Sequence, residues 1–292
     1  MYEKFYHLDR SPFSLLPDPA FLFLSRKHAM ALTLLKYSLM SKHPFTVIAG
    51  EVGAGKTTLV NRLLDDLDDR HTVGLINFTD PGVTQLWPWI LHAFGLGHSK
   101  RSVVEMYDDF LTFLCAGYER ERTFVLIVDE AQNLGPTALE NLRMLSNVNA
   151  RETLLQLILV GQPEFCETLK RPDFRQLNQR ISVFYRLNPL SKNETQAYID
   201  HRLGVAGGRP GTFSAKAISL IWAESDGIAR RINTLCDLAL VYGFASNKPI
   251  IEGDLVSEML ADRRDLAVET EMPSEIPATS ARPRAVHDQR RH

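Results

Sequence analysis

The chain reads as a three-layer α/β/α domain on a parallel sheet, followed by a small all-helical domain. Three observations predict this. Short, wholly apolar segments alternate with helical ones between residues 45 and 189, the pattern of a parallel sheet covered on both faces. The run Gly50-Glu51-Val52-Gly53-Ala54-Gly55-Lys56-Thr57 falls between one such strand and a helix, where a phosphate-binding loop belongs. Strand signals then stop after Pro189, and only helical spacing follows.

Taken in order, the opening segment sets Pro12, Pro17 and Pro19 among Phe5, Tyr6, Phe13, Phe21 and Phe23. Prolines this close forbid regular helix, while the aromatics call for burial. Residues 1–44 are therefore predicted as an extended strap and one helix (25–41), packed on the α/β core. Within the core, 45–189, the β-branched and apolar runs 45–49, 72–78, 124–128, 155–160 and 182–187 are predicted strands. Helical spacing covers 56–67, 83–94, 103–118, 136–147 and 163–169. Beyond residues 188–191, Ser191 three positions before Glu194 forms a capping box that opens a helix through Leu203. Residues 207–211 read as a loop, and 214–223, 227–244 and 252–260 as further helices of a lid spanning 190–264. The Pro-, Ser- and Arg-rich segment 265–292, with Arg282, Arg284, Arg290 and Arg291, is predicted to be a disordered, solvated tail.

Bulk properties narrow the function. With 45% hydrophobic and 23% charged residues the chain can bury a real core. A formal charge of −2 and a pI near 6.5 give no global field favouring nucleic acid or an anionic membrane. Cys115, Cys166 and Cys236 are scattered, which predicts reduced, core-packed thiols and a cytoplasmic address. No signal peptide and no apolar stretch near the ~18–20 residues of a membrane span is visible. The nine histidines show no metal-ligand spacing and read as surface or core residues.

The chemistry lies in two motifs. Gly50, Glu51, Val52, Gly53, Ala54 and Gly55 let successive N–H groups face phosphates at a helix N-terminus. Lys56 brings a point charge to the β- and γ-phosphates, and the Thr57 hydroxyl, with Thr58 beside it, serves ATP and Mg2+. In Phe124-Val125-Leu126-Ile127-Val128-Asp129-Glu130 an apolar strand ends in two carboxylates. Asp129 is expected to hold Mg2+, and Glu130 to polarise the attacking water.

Asp129-Glu130-Ala131-Gln132 superficially matches DEAD-box helicases, but the residues after Pro189 leave no room for a second RecA-like domain. With the helical lid, the sequence instead resembles the AAA+ superfamily. Within it the chain is similar, over residues 1–260, to the ExeA/GspA-like ATPases, relatives of the transposition ATPases TniB and TnsC. The marks are Pro12-Phe13, Pro17-Asp18-Pro19, Phe21, the loop from Gly50 to Thr57, Asp129-Glu130-Ala131-Gln132, Gly161-Gln162-Pro163-Glu164, Gln179-Arg180-Ile181 and the segment 227–233. This resemblance implies that Gln162 is sensor 1 and that Arg180 acts in trans on a neighbouring subunit's ATP, with Arg175 competing for that role. It also implies that Arg230 is sensor 2, with Arg231 able to share the part, although Ala229 stands where the family commonly has proline. Phe13 and Phe21 would enclose adenine or pack in the core.

The implied protein is an Mg2+-dependent ATPase, a homo-oligomer forming a ring or filament. It would remodel a bacterial envelope complex of secretion, pilus or polysaccharide-export type through a protein partner. Longer secretion members continue into a membrane span and a peptidoglycan-binding domain. Here recruitment to the inner membrane through a partner is expected instead. The alternative is an ATP-dependent, DNA-binding regulator of transposition, which the near-neutral charge disfavours.

Overall fold

The structure is a computed structural model that describes residues 1–16, 18–77, 85–97, 101–149 and 153–271. Its elements run α1 (Arg26–Met40), β1 (Phe45–Gly50), α2 (Lys56–Asp65), β2 (His71–Asn77), α3 (Trp87–Ala93) and α4 (Val103–Tyr118). They continue with β3 (Thr123–Asp129), α5 (Pro136–Leu145), β4 (Leu155–Gly161), α6 (Pro163–Lys170), α7 (Arg175–Asn178) and β5 (Ile181–Leu187). The helical part comprises α8 (Lys192–Val205), α9 (Ala215–Ser225), α10 (Ala229–Ala245) and α11 (Gly253–Glu271). The expected start of the helix at residue 83, and Phe78 at the end of β2, lie outside the described residues.

The five strands are all parallel, in the order β2-β3-β4-β1-β5. Register sets Gly50 opposite Leu187, Ala49 opposite Gly161 and Asn77 opposite Asp129. The carboxyl ends of β1, β3 and β4 therefore meet at one rim, where ligands bind in open α/β sheets. β1 and β4 are buried at every position, and β3 at every position but its first, because both faces are covered. Alternation of side chains along β3 shows the two layers. Phe124, Leu126 and Val128 join the cluster under α3–α6, while Val125 and Ile127 face Leu35, Leu59 and Leu63 of α1 and α2.

The strap lies elsewhere than predicted. Helix α1 does pack on the core, but Tyr2, Tyr6, Leu8, Phe13 and Phe21 join the hydrophobic cluster of α8–α11. Phe13 meets Phe213 edge-on at 6.0 Å, and Tyr6 Oη donates to the Lys248 carbonyl at 2.9 Å. Tyr2 Oη donates to Asp237, and Arg202 donates to the carbonyls of Pro12 and Ser14. The reason is surface availability: α1 and α2 already cover their face of the sheet, while the strap's aromatic residues complete the apolar cluster of α8–α11. Gly243 makes room there, since a Cβ at that position would lie 2.2 Å from Tyr6 Oη.

Two further expectations change. Helix α11 continues to Glu271, past the limit set at 264, because residues 265–271 still carry good helix formers before Pro273. The remainder of the tail, 272–292, lies outside the described residues. Of the three cysteines only Cys236 is buried; Cys115 is exposed on α4 and Cys166 is half-buried on α6. No helix among the described residues is long and apolar enough to cross a membrane.

Candidate nucleotide site

The loop between β1 and α2 is held open for an anion. Gly53 and Gly55 have φ of 78° and 96°, in the left-handed region that favours glycine. A Cβ on Gly53 would come within 2.6 Å of Arg230 Cβ, so glycine also lets the lid approach. Among the described residues the N–H groups of Gly53 and Gly55 meet no acceptor. The first turn of α2 adds N–H groups that a helix cannot satisfy internally, and its dipole favours negative charge. Lys56 is buried and folds back over the loop, donating to the carbonyls of Gly50 at 2.8 Å and Glu51 at 3.0 Å. Burial pushes its ammonium below the usual lysine range, against the pull of Glu130, Asp129 and Glu51. An ammonium has three donors, which leaves one for a phosphate oxygen. Thr57 and Thr58 are exposed at the cleft.

β3 delivers the acids to the same rim. Asp129 is 2% exposed; its Oδ2 accepts from Thr57 Oγ1 at 2.8 Å and its Oδ1 from Glu130 N–H at 2.9 Å. Glu130 adopts φ 53° and ψ 42°, a left-handed conformation that costs a non-glycine residue ~1–2 kcal/mol. A ring of hydrogen bonds holds it there. Gln162 Nε2 donates to Glu130 Oε2 at 3.1 Å, Gln132 Nε2 donates to the same oxygen, and Gln162 N–H donates to Gln132 Oε1 at 3.0 Å. The sequence reading placed Gln162 but gave Gln132 no role. Its signal was its position two residues after Glu130.

A cleft of about 530 Å3 runs from this rim to the lid, lined on one side by residues 52–59 and on the other by Tyr198, Arg202, Arg230 and Asn233. Arg230 is exposed in it, and its N–H donates to the Gly53 carbonyl at 3.2 Å. Arg231 turns away to pair with Asp226 at 2.7 Å, so it does not share the cleft. Ala229 is the first residue of α10, the position at which proline is accepted without loss. Phe21 lines the cleft, flanked by the guanidinium groups of Arg10 and Arg202 at 4.6 and 4.7 Å. Phe13 does not line it and is core packing. His28, read from sequence only as a surface or core residue, lines the cleft. Its Nε2 lies 2.9 Å from the Ala54 carbonyl and its Nδ1 2.8 Å from Ser25 Oγ. Burial holds its imidazole below the usual histidine range.

Arg180 and Arg175 are not brought to this cleft. β1 and β5 pair Gly50 with Leu187 at the loop end and Phe45 with Ile181 at the other, so Arg180 lies roughly 20 Å along the sheet from the loop. Its guanidinium is held by Ser146, by Asn147 Oδ1 at 2.7 Å and by the Arg143 carbonyl at 3.4 Å. Arg175 is exposed, with no hydrogen-bonded or ion-paired side-chain partner among the described residues.

Comparisons with known proteins bear on the family and the fold. The AAA domain family matches residues 39–169. The chain is 39% identical over 260 residues to General secretion pathway protein A of Aeromonas hydrophila, covering 87% of this chain and 47% of that protein. It thus spans about half the length of that relative. Among solved structures, an ORC2 protein of Aeropyrum pernix in ADPNP and ADP complexes superposes with a TM-score of 0.62 at 20% identity, covering 87% of this chain and 72% of that one. Drosophila ORC bound to DNA gives 0.64 at 16% identity, covering 90% and 67%. At these identities the likeness concerns the fold. The parallel sheet, the glycine loop and the acidic strand end define an AAA+ P-loop nucleotide-binding protein. Within that class the chain is similar to the ExeA/GspA-like ATPases, through General secretion pathway protein A.

The residues fit the groups this class uses. Thr57 Oγ1 and Asp129 already touch, and a hydroxyl with a carboxylate is the hard oxygen set that magnesium prefers. The Lys56 ammonium and the N–H groups around Gly53 and Gly55 fit a polyphosphate.

Proposed function

We propose that the chain hydrolyses ATP and uses the cycle to assemble or remodel a bacterial envelope complex. The observation that carries hydrolysis is the placement of Glu130, one residue past Asp129 and fixed by Gln132 and Gln162. Both amides occupy Glu130 Oε2, which leaves Oε1 to take a proton from a water directed at the γ-phosphate. Lys56 and the loop N–H groups bind the phosphates and stabilise charge as it develops. Mg2+ held by Thr57 and Asp129 would supply charge neutralisation and orientation of the β- and γ-oxygens.

Arg180 lies too far from its own cleft to act there, which supports a role at a neighbouring subunit's site and hence a homo-oligomer. Arg230 couples the lid to the loop through Gly53. The envelope setting rests on the likeness to General secretion pathway protein A. In that setting the chain is cytoplasmic and reaches the inner membrane through a protein partner. The test is phosphate release by the wild type with and without Mg2+, alongside duplex DNA binding with ATP at low salt. Mg2+-dependent turnover without DNA binding supports the reading. Absent turnover removes the ATPase, and salt-sensitive, ATP-dependent DNA binding shifts it to transposition control.

A further inference from the structure

We propose that His28 is a positioning residue of the nucleotide site, which sets the Ala54–Gly55 peptide so that the Gly55 N–H faces the phosphates. The inference rests on the nucleotide-binding reading of the loop, and not on hydrolysis.

His28 is on the first turn of α1, a helix outside the loop in sequence, yet its ring reaches the loop backbone. Nε2 lies 2.9 Å from Ala54 O, and a Cβ on Gly55 would lie 3.0 Å from the same nitrogen. A carbonyl is acceptor only, so Nε2 carries the proton. Nδ1 is then an acceptor, matched by Ser25 Oγ at 2.8 Å. Ser25 is also the N-cap of α1, its Oγ accepting from His28 N–H at 3.3 Å. One hydroxyl thus accepts from the backbone and donates to the ring, which fixes both the helix start and the tautomer.

In a trans peptide the C=O and the following N–H point in opposite directions. Tying the Ala54 carbonyl to His28 therefore turns the Gly55 N–H away from α1, into the cleft, where it has no acceptor among the described residues. Gly55, at φ 96°, has no side chain to limit rotation of this peptide. An untethered Ala54–Gly55 unit would offer its carbonyl oxygen to the phosphates as readily as its N–H. His28 removes that choice before nucleotide arrives.

The experiment measures ADP affinity by calorimetry in the full chain, with thermal melts as a fold control. His28→Leu, which keeps bulk but has no donor, should weaken ADP about tenfold, the worth of one hydrogen bond of ~1.4 kcal/mol. His28→Gln places an amide N–H where Nε2 was and should recover affinity to within about threefold, whereas His28→Asn, too short to reach Ala54, should not. Ser25→Ala, which leaves the ring in place but frees its tautomer, should fall between. Affinity in His28→Leu within twofold of wild type would overturn the proposal, as would equal losses in the Gln and Asn variants. If His28→Leu does not fold, Ser25→Ala and His28→Gln decide by the same criteria. A wild type that binds no ADP would instead overturn the nucleotide-site reading, a failure recognisable because every variant then equals the wild type.

Discussion

At the scale of single residues, the site concentrates its constraints on Glu130. Its backbone is left-handed, its N–H donates to Asp129 Oδ1, and two glutamine amides hold its carboxylate. Glu130→Gln should leave ADP affinity within about twofold while phosphate release drops by ~10²–10⁴, the usual worth of a general base. Gln132→Leu should lower kcat about tenfold with KM little changed, since it loosens the base and not the phosphate cradle. Steady-state phosphate release over a range of ATP concentrations separates these effects. Acid adds another handle. The folded His28 titrates below the unfolded value of about 6.5, so the unfolded state binds the extra proton first as pH falls. Stability from this residue is therefore present at neutral pH and declines as pH drops below about 6.5 toward the folded value, with Lys27 opposing protonation and Glu194 favouring it. Urea midpoints between pH 7 and pH 5 should fall less in His28→Gln than in wild type.

Among the elements, the strap shows where sequence patterning stops being informative. The loop, β3 and the Ser191 capping box were legible because local chemistry dictates them: glycines for left-handed φ, apolar strands for a two-faced sheet, serine and glutamate for a helix start. Phe13 and Phe21 announced burial but not the surface that buries them, because an aromatic ring fits any apolar face equally well. His28 was missed for a related reason. Its partner is a backbone carbonyl, and a carbonyl 26 residues away leaves no mark on residue type. Phe13→Ala should cost ~3–5 kcal/mol, as for other large-to-small changes in a packed core. A lowered urea midpoint with an unchanged m-value would check it. A loss under 1 kcal/mol would mean that the strap does not stay docked on α8–α11.

For the whole molecule, the proposed homo-oligomer would set Arg180 against a neighbour's cleft. Arg180 sits at the far end of the sheet from its own loop, so Arg180→Ala and Glu130→Gln should each be inactive alone. Mixed in equal amounts they should regain a measurable fraction of wild-type phosphate release, because some interfaces then combine an intact Arg180 with an intact Glu130. A mixture as inactive as its parts would rule out action in trans by Arg180 and turn attention to exposed Arg175. The strap bears on motion within one subunit. Because the described residues of 1–23 dock on the helical lid while α1 belongs to the sheet, the chain passes between the two bodies twice, at 24–25 and again at 188–190. Lys27 joins these crossings, donating to the Pro189 carbonyl at 2.5 Å and pairing with Glu194 at 3.4 Å. A lid on one tether can swivel in any direction. A lid hung on two adjacent pins, like a door, turns about the line between them, and the candidate nucleotide cleft is its doorway.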